Sequence, residues 1–267
     1  MSETRLEKVT NSNRHLFIPF IMTGDPTPDL TVELALLMET SGADILELGV
    51  PYSDPLADGP VIQAAAIRAL EQGMNLEKAL KLVSRMREKG LSIPVIIFTY
   101  YNPVLQLGEE KLLKLMHENQ IDGVLIPDLP FEESRSLAKR CDEEKLPLIS
   151  LVAPTLKQRI KKIAESAKGF LYCVSSLGVT GVRKEIDPQI NGFLEEVKKH
   201  SKIPVAVGFG ISNPEQVENL RPHCDGVIVG SALVKMIESK KTEMLNKDTK
   251  EKAFIEIKTF VYSLISS

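Results

Sequence analysis

Eight short and almost uniformly apolar segments recur along this chain, separated by longer segments with helical periodicity. Runs of Val, Ile and Leu without polar alternation are typical of strands in a parallel sheet that is buried on both faces. Successive runs lie roughly 30 residues apart, which is the length of one strand–helix–strand unit. The eight runs are Leu16–Met22, Ile45–Val50, Ile93–Thr99, Gly123–Ile126, Leu146–Leu151, Phe170–Val174, Ile203–Val207 and Gly226–Val229.

The segments between these runs carry the apolar stripes of amphipathic helices. The clearest stripes run through Leu30–Met38, Leu76–Val83, Leu112–Met116 and Ile190–Val197. Eight strands that alternate with helices in 267 residues favour a closed (β/α)8 barrel (a TIM barrel) over an open, doubly wound sheet. No linker rich in Gly, Pro or Ser divides the chain. We therefore expect residues 1–267 to form a single α/β domain, with extra helices after about residue 231.

Composition and charge exclude several classes of function. A formal net charge of −3 provides no basic field to hold nucleic acid. No run of about 18 apolar residues predicts a membrane span. The polar start, Met1–His15, lacks an apolar signal core and predicts a cytoplasmic protein. Three scattered cysteines and four histidines without metal-ligand spacing predict neither a disulfide framework nor a metal site.

Three glycine-containing segments follow the sixth, seventh and eighth predicted strands. They are Gly178–Gly181, Gly208–Gly210 and Gly230–Ser231. Glycine lets backbone N–H groups approach an oxyanion, and a helix that starts at Ser231 adds its positive end. Because the loops after strands seven and eight form the usual phosphate site of this barrel, the pattern favours a phosphate cradle over plain tight turns. The missing third glycine argues against a dinucleotide site.

Glu47 is the one charged residue in the apolar strand Ile45–Val50. A carboxyl at that position points into the barrel or its mouth, where desolvation raises its pKa and suits it to acid/base work. The alternative is a structural carboxylate held by backbone donors. Asp54 and Asp58 follow in a segment stiffened by three prolines, which predicts two ordered carboxylates over the barrel mouth.

Lysine is absent from the eight predicted strands and from their immediate C-terminal ends. A Schiff-base aldolase needs a lysine in a desolvated pocket, so that mechanism is disfavoured. The residues alone therefore predict a lyase or isomerase for a phosphate substrate, which uses acid/base catalysis without a bound metal or covalent cofactor.

The fifteen-residue segment Leu46–Pro60 resembles the signature of the tryptophan synthase alpha chain family. One departure is Ser175–Leu177, where many relatives carry Arg or Val and Ser or Thr before the glycine. Further segments similar to the family follow in the same order along the chain: Phe20–Asp25, Tyr100–Pro103, Pro127–Pro130, Gly178–Gly181, Val207–Ser212 and Val229–Ala232.

The resemblance implies a retro-aldol cleavage of indole-3-glycerol phosphate to indole and D-glyceraldehyde 3-phosphate. Glu47 matches the acid/base that shuttles protons, and Asp58 matches the carboxylate near the indole N–H. Residues 175–184 match a lid that closes over the site. For the aromatic residues, the alternative is a plain core role. The implied substrate-binding residues are Phe20, Phe98, Tyr100, Tyr172, Thr180, Gly181, Phe209, Gly210, Gly230 and Ser231.

The resemblance also implies a partner, the tryptophan synthase beta chain, in an alpha2-beta2 heterotetramer. The family contacts that partner through positions that match Pro51, Asp54, Asn102 and Pro103. Pyridoxal phosphate then belongs to the beta chain, and no cofactor is expected in this chain. Three alternatives stay open: a free-standing lyase that needs no partner, a non-catalytic activator of a beta chain, and another phosphate-binding barrel such as a sugar-phosphate isomerase.

Overall fold

The computed structural model describes residues 3–154, 159–174, 190–208 and 210–265. Within these ranges, eight parallel strands alternate with helices and confirm the predicted (β/α)8 barrel. Their side chains are almost all buried. The strands are β1 Leu16–Met22, β2 Leu46–Gly49, β3 Val95–Phe98, β4 Gly123–Leu125, β5 Ser150–Val152, β6 Leu171–Val174, β7 Val205–Gly208 and β8 Gly226–Val229.

The barrel closes between β4 and β5, at the two ends of the strand order β4-β3-β2-β1-β8-β7-β6-β5. A single parallel bridge joins Val124 to Leu148. The N–H of Ile149 donates to the Val124 carbonyl at 2.8 Å, and the N–H of Val124 donates to the Pro147 carbonyl at 3.1 Å. The predicted fifth strand began too early, at Leu146, because Pro147 has no N–H to add to the ladder.

Some of the described helices begin at a residue whose side chain caps the helix. The side chains of Thr27, Asn75 and Asn213 each accept the N–H of the third residue along, at the starts of α2, α4 and α10. None of the described helices is long and apolar enough to cross a membrane. The helices are α1 Arg5–Thr10, α2 Pro28–Thr40, α3 Pro60–Glu71, α4 Leu76–Glu88, α5 Tyr101–Leu107, α6 Glu109–Glu118, α7 Arg135–Glu143, α8 Ile160–Ser166, α9 Ile190–His200, α10 Pro214–Leu220, α11 Ser231–Ser239, α12 Lys241–Leu245 and α13 Lys250–Ile265.

Strand register brings the predicted site residues to one end of the barrel. Phe20 pairs with Glu47 across β1 and β2, and Gly49 pairs with Phe98 across β2 and β3. Since all the strands are parallel, their C-terminal ends share one face. That face carries the loop that leads to Asp58 and the start of α11.

Candidate active site

A cleft opens at the C-terminal face of the barrel. It combines apolar walls with two carboxyl groups, as small-molecule sites do. Eight of its ten lining residues are ones that the sequence pointed to. The lining residues are Phe20, Glu47, Asp58, Ile62, Phe98, Tyr172, Gly210, Ile228, Gly230 and Ser231.

Glu47 lies at the floor of the cleft and is 1% exposed. Its Oε1 has no hydrogen-bond partner among the residues that the structure describes, so backbone donors do not hold this oxygen. Burial, with a smaller contribution from the charge of Asp58, raises the pKa of Glu47 to about 8. The side chain is therefore mainly a neutral acid at pH 7 and has one oxygen available to a ligand.

Asp58 also lines the cleft and is 5% exposed. Burial raises its pKa to about 6, and a hydrogen bond from the Tyr100 hydroxyl limits the rise. The Nε2 of Gln63 donates to the Asp58 main-chain carbonyl at 2.7 Å and holds the backbone. At pH 7 the pair therefore consists of a protonated Glu47 and an ionised Asp58, which is the division of roles that acid/base catalysis needs.

Aromatic rings form one wall of the cleft, and a further aromatic residue contacts Asp58. Phe20 and Phe98 meet edge to face, with ring centroids 5.7 Å apart, and both line the cleft. Tyr172 is buried, and burial together with the charges of Glu47 and Asp58 raises its pKa well above the ordinary value. Tyr100 is also predicted to line the cleft. Its ring centroid lies 6.4 Å from that of Phe98, and its hydroxyl donates a hydrogen bond to Asp58.

Gly49 makes room for the Phe20 ring. A Cβ at this position would lie 2.3 Å from Cζ of Phe20, so the ring has to move in a Gly49→Ala variant. We expect a loss of about 1–3 kcal/mol in stability and weaker binding of an indole ligand. Denaturant unfolding and ligand titration measure the two effects. Phe20→Leu in the same chain should restore part of the stability, and an equal loss in the double variant would contradict this packing account.

The predicted phosphate-binding residues Gly210, Gly230 and Ser231, which follow β7 and β8, line one part of the cleft. Gly210 has a φ of +92°, a conformation that favours glycine. Gly230 has ordinary space for a Cβ, the nearest atom being 3.6 Å away, so its lack of a side chain serves approach from the cleft. In the described part of the chain no side chain caps α11, which begins at Ser231 as predicted. Its first N–H groups are available to an anion.

Three predicted binding residues, Thr180, Gly181 and Phe209, lie outside the described residues. The predicted lid over residues 175–184 lies there as well. These assignments stay predictions.

The four predicted partner contacts lie together around a second, more open groove beside the cleft. Asp54 and Asn102 are exposed, whereas Pro51 is buried and Pro103 half-buried. On the same helix as Asn102, Leu105 is 57% exposed. A polar face with a projecting leucine is suited to protein contact.

Arg68 is a functional neighbour that sequence reasoning missed. Its Nε and Nη2 donate to the two carboxylate oxygens of Asp25, each at 2.8 Å, and its Nη1 donates to Glu238 at 2.7 Å. Through these contacts, Arg68 joins Asp25, which follows β1, to two helices. They are α3, which follows Asp58, and α11, which begins at Ser231. No local pattern in either segment signals a pairing between residues 43 positions apart.

A (β/α)8 barrel with two buried carboxyls and a helix start without a side-chain cap at its C-terminal face is typical of one class of protein: acid/base enzymes that act on small phosphate esters. The sequence model of the family described as tryptophan synthase alpha chain matches residues 6–262. The chain belongs to this family.

Individual relatives agree. The chain is 58% identical over 264 residues to a tryptophan synthase alpha chain of Halalkalibacterium halodurans, covering 99% of this chain and 100% of the relative. It is 62% identical over 252 residues to that of Geobacillus kaustophilus, covering 94% of each. A solved structure of the tryptophan synthase a2b2 complex from Pyrococcus furiosus contains a chain with a TM-score of 0.84 and 34% identity, covering 95% of this chain and 99% of that one.

Proposed function

We propose that this chain is a lyase that cleaves indole-3-glycerol phosphate to indole and D-glyceraldehyde 3-phosphate, as the alpha subunit of a tryptophan synthase. The observation that carries the proposal is the pair of buried carboxyls in one cleft, with pKa values of about 8 for Glu47 and about 6 for Asp58. A sugar-phosphate isomerase has no need of the wall that Phe20 and Phe98 form beside them.

Glu47 carries out both proton transfers. Its neutral carboxyl protonates C3 of the indole ring, which gives an indolenine-like intermediate. The resulting carboxylate then takes the proton of the glycerol hydroxyl next to the ring. The carbon–carbon bond breaks, its electron pair restores the aromatic ring, and the hydroxyl carbon becomes the aldehyde. One residue thus returns to its starting protonation state after each turnover.

Asp58 stabilises the charge that forms on the ring. Protonation at C3 makes the indole nitrogen positive, and a fixed carboxylate in a water-poor cleft accepts its N–H. Gly210, Gly230 and Ser231 bind the phosphate at the start of α11. Thr180, Gly181 and Phe209 complete this site in our proposal.

Activity should follow a bell-shaped pH profile with a maximum near pH 7. Asp58 must be ionised, which requires a pH above about 6, and Glu47 must be protonated, which requires a pH below about 8. The alkaline limb is the diagnostic one, because the second ionisation of a phosphate ester, with a pKa of about 6, overlaps the acidic limb. The kcat/KM for indole release between pH 5 and 10 measures both limbs. An alkaline limb that is absent would contradict the role of Glu47.

The proposed partner is a tryptophan synthase beta chain in an alpha2-beta2 assembly, with pyridoxal phosphate in the beta chain and no cofactor in this one. The Pyrococcus furiosus structure concerns mutual activation of an a2b2 complex. Support in this chain comes from the groove lined by Pro51, Asp54, Asn102 and Pro103, with Leu105 projecting beside it.

Asp54→Ala is expected to lower activation by the beta chain several-fold and to leave phosphate-ligand binding unchanged. Asp54 is exposed and accepts a hydrogen bond from Ser53 at 2.6 Å, so its loss costs the fold little. Indole release with and without a beta chain measures the effect. Asp142→Ala removes an exposed carboxylate on α7 and is the matched control. Equal activation of the Asp54 variant and the control would remove Asp54 from the interface.

Indole release from indole-3-glycerol phosphate, with the beta chain absent or added, tests the function itself. The proposal predicts slow release alone and a steep rise with the partner. Fast release that the partner does not change would indicate a free-standing lyase. No release under either condition would overturn the proposed activity.

A further inference from the structure

A continuous series of side chains leads from the groove to Asp58. The Nδ2 of Asn102 donates to the Tyr52 hydroxyl at 2.9 Å. The Tyr52 ring lies 5.3 Å from that of Tyr100, tilted by 32°. The Tyr100 oxygen accepts the N–H of Ala57 at 3.2 Å and donates its own hydrogen to the Asp58 carboxylate. Each contact is direct, so no water is needed to complete the series.

Burial changes in steps along this series. Asn102 is exposed, Tyr52 is half-buried, and Tyr100 is fully buried. The series therefore connects the surface to the cleft through packed side chains. Tyr52 lines the groove but does not line the catalytic cleft, so it touches neither the substrate nor the reacting atoms.

The backbone between Tyr52 and Asp58 is stiff. Pro51, Pro55 and Pro60 fix φ before, within and after this segment. At its far end Gln63 holds the Asp58 carbonyl. A stiff segment anchored at Tyr52 on one side and by Gln63 on the other transmits a displacement of the Tyr52 ring to the Asp58 carboxylate.

We propose that Tyr52 is a positioning residue whose hydroxyl links Asn102 to the Tyr100–Asp58 pair, so that a beta chain bound at Asn102 sets the position of the catalytic carboxylate. This inference rests on the proposed function. It adds a role for the hydroxyl of Tyr52, a residue without a place in the chemical steps. The ring alone maintains the stack on Tyr100, whereas the hydroxyl alone reaches Asn102.

Tyr52→Phe tests the hydroxyl and keeps the ring. Without the beta chain, kcat and KM for indole release should stay within twofold of the unchanged protein. With saturating beta chain, the activated kcat should fall roughly fivefold, the effect of one net hydrogen bond, while KM changes little. Loss in kcat at constant KM marks an altered carboxylate position, since general damage to the fold would also lower the unactivated rate.

Tyr101→Phe is the matched control. Tyr101 is the neighbour of Tyr100 and donates its hydroxyl to Glu109 at 3.1 Å, outside the series. The beta chain should activate the Tyr101→Phe variant as fully as it activates the unchanged protein. Asn102→Ala with Tyr52→Phe completes a double-mutant cycle, in which the double variant should lose no more kcat than Asn102→Ala alone.

Four results would decide against the inference or its basis. Full activation of Tyr52→Phe, or an equal loss in Tyr101→Phe, would overturn the role of Tyr52 while the lyase assignment stands. Additive losses in the double variant would show that Tyr52 and Asn102 act separately. Absence of beta-activated indole release from the unchanged protein would overturn the proposed function, and the inference with it.

Discussion

Replacement of Glu47 by glutamine is expected to lower indole release from indole-3-glycerol phosphate by about 10²- to 10⁴-fold. The amide has nearly the same shape as the carboxyl, but it can neither give a proton to C3 of the indole nor take one from the glycerol hydroxyl. Because Glu47 performs both transfers in the proposed mechanism, one substitution removes both. Turnover measured with and without the beta chain should show the loss in each case.

Glu47→Gln should also change how the stability of the protein depends on pH. This change distinguishes a loss of catalysis from a loss of folding. Burial raises the pKa of Glu47 from 4.5 to about 8, so the folded state binds this proton more tightly than the unfolded state. Its contribution to stability is therefore fully present below about pH 4.5 and is lost as the pH rises towards 8. In Glu47→Gln this loss should disappear.

Unfolding midpoints measured from pH 5 to 8 give that comparison. The matched control is Glu110→Gln, an exposed position on α6, which should keep both the activity and the pH dependence of the unchanged protein. Near-normal indole release by Glu47→Gln would remove Glu47 from the chemistry. A variant that is inactive and also unfolded at pH 6 would point to a structural role instead.

Removal of Arg68 is expected to destabilise the barrel by about 3–5 kcal/mol. The Asp25 side chain is 2% exposed, and in Arg68→Ala it would keep its charge without the guanidinium that pairs with both of its oxygens. The Arg68 side chain is 17% exposed, so solvent screens little of its attraction to Asp25. Urea unfolding measures the loss.

Two companion variants test the cause. Asp25→Asn combined with Arg68→Ala leaves no buried charge and should recover part of the stability. Arg85→Ala breaks an ion pair with the largely exposed Asp29 and should cost much less. If the Arg68 and Arg85 variants lost equal stability, burial of the Asp25 charge would not be the cause. Arg68→Ala should also weaken phosphate binding, because α3 and α11 lose the Arg68–Glu238 ion pair.

Much of the barrel could be predicted from the sequence because its strands are buried on both faces. Such strands show as plain apolar runs, and seven of the eight agreed closely with the structure. The fifth did not, because Pro147 has no N–H to donate to the ladder, which hydrophobicity alone does not reveal. Glu47 was recognisable for a related reason, since a single carboxyl in an apolar strand stands out against its surroundings.

The supporting contacts of the site could not be predicted in the same way. Arg68 meets Asp25 only because the barrel brings α3 beside the end of β1, and nothing local in either segment signals the pair. Tyr100 was expected to touch the substrate as an aromatic wall. In the structure its hydroxyl donates to Asp58 and its ring centroid lies 6.4 Å from that of Phe98, contacts that depend on side-chain packing rather than on residue type. Its contact with the substrate stays a prediction.

The most direct test of the catalytic account is a titration of Glu47 itself. The carboxyl carbons of glutamate are labelled with ¹³C, and their NMR shifts are followed from pH 4 to 10, with Glu47→Gln identifying the resonance. The account predicts a midpoint near 8, so that Glu47 is a neutral acid at pH 7 beside an ionised Asp58. A midpoint near the ordinary value of 4.5 would contradict it, because Glu47 would then have no proton to give to the indole ring at neutral pH.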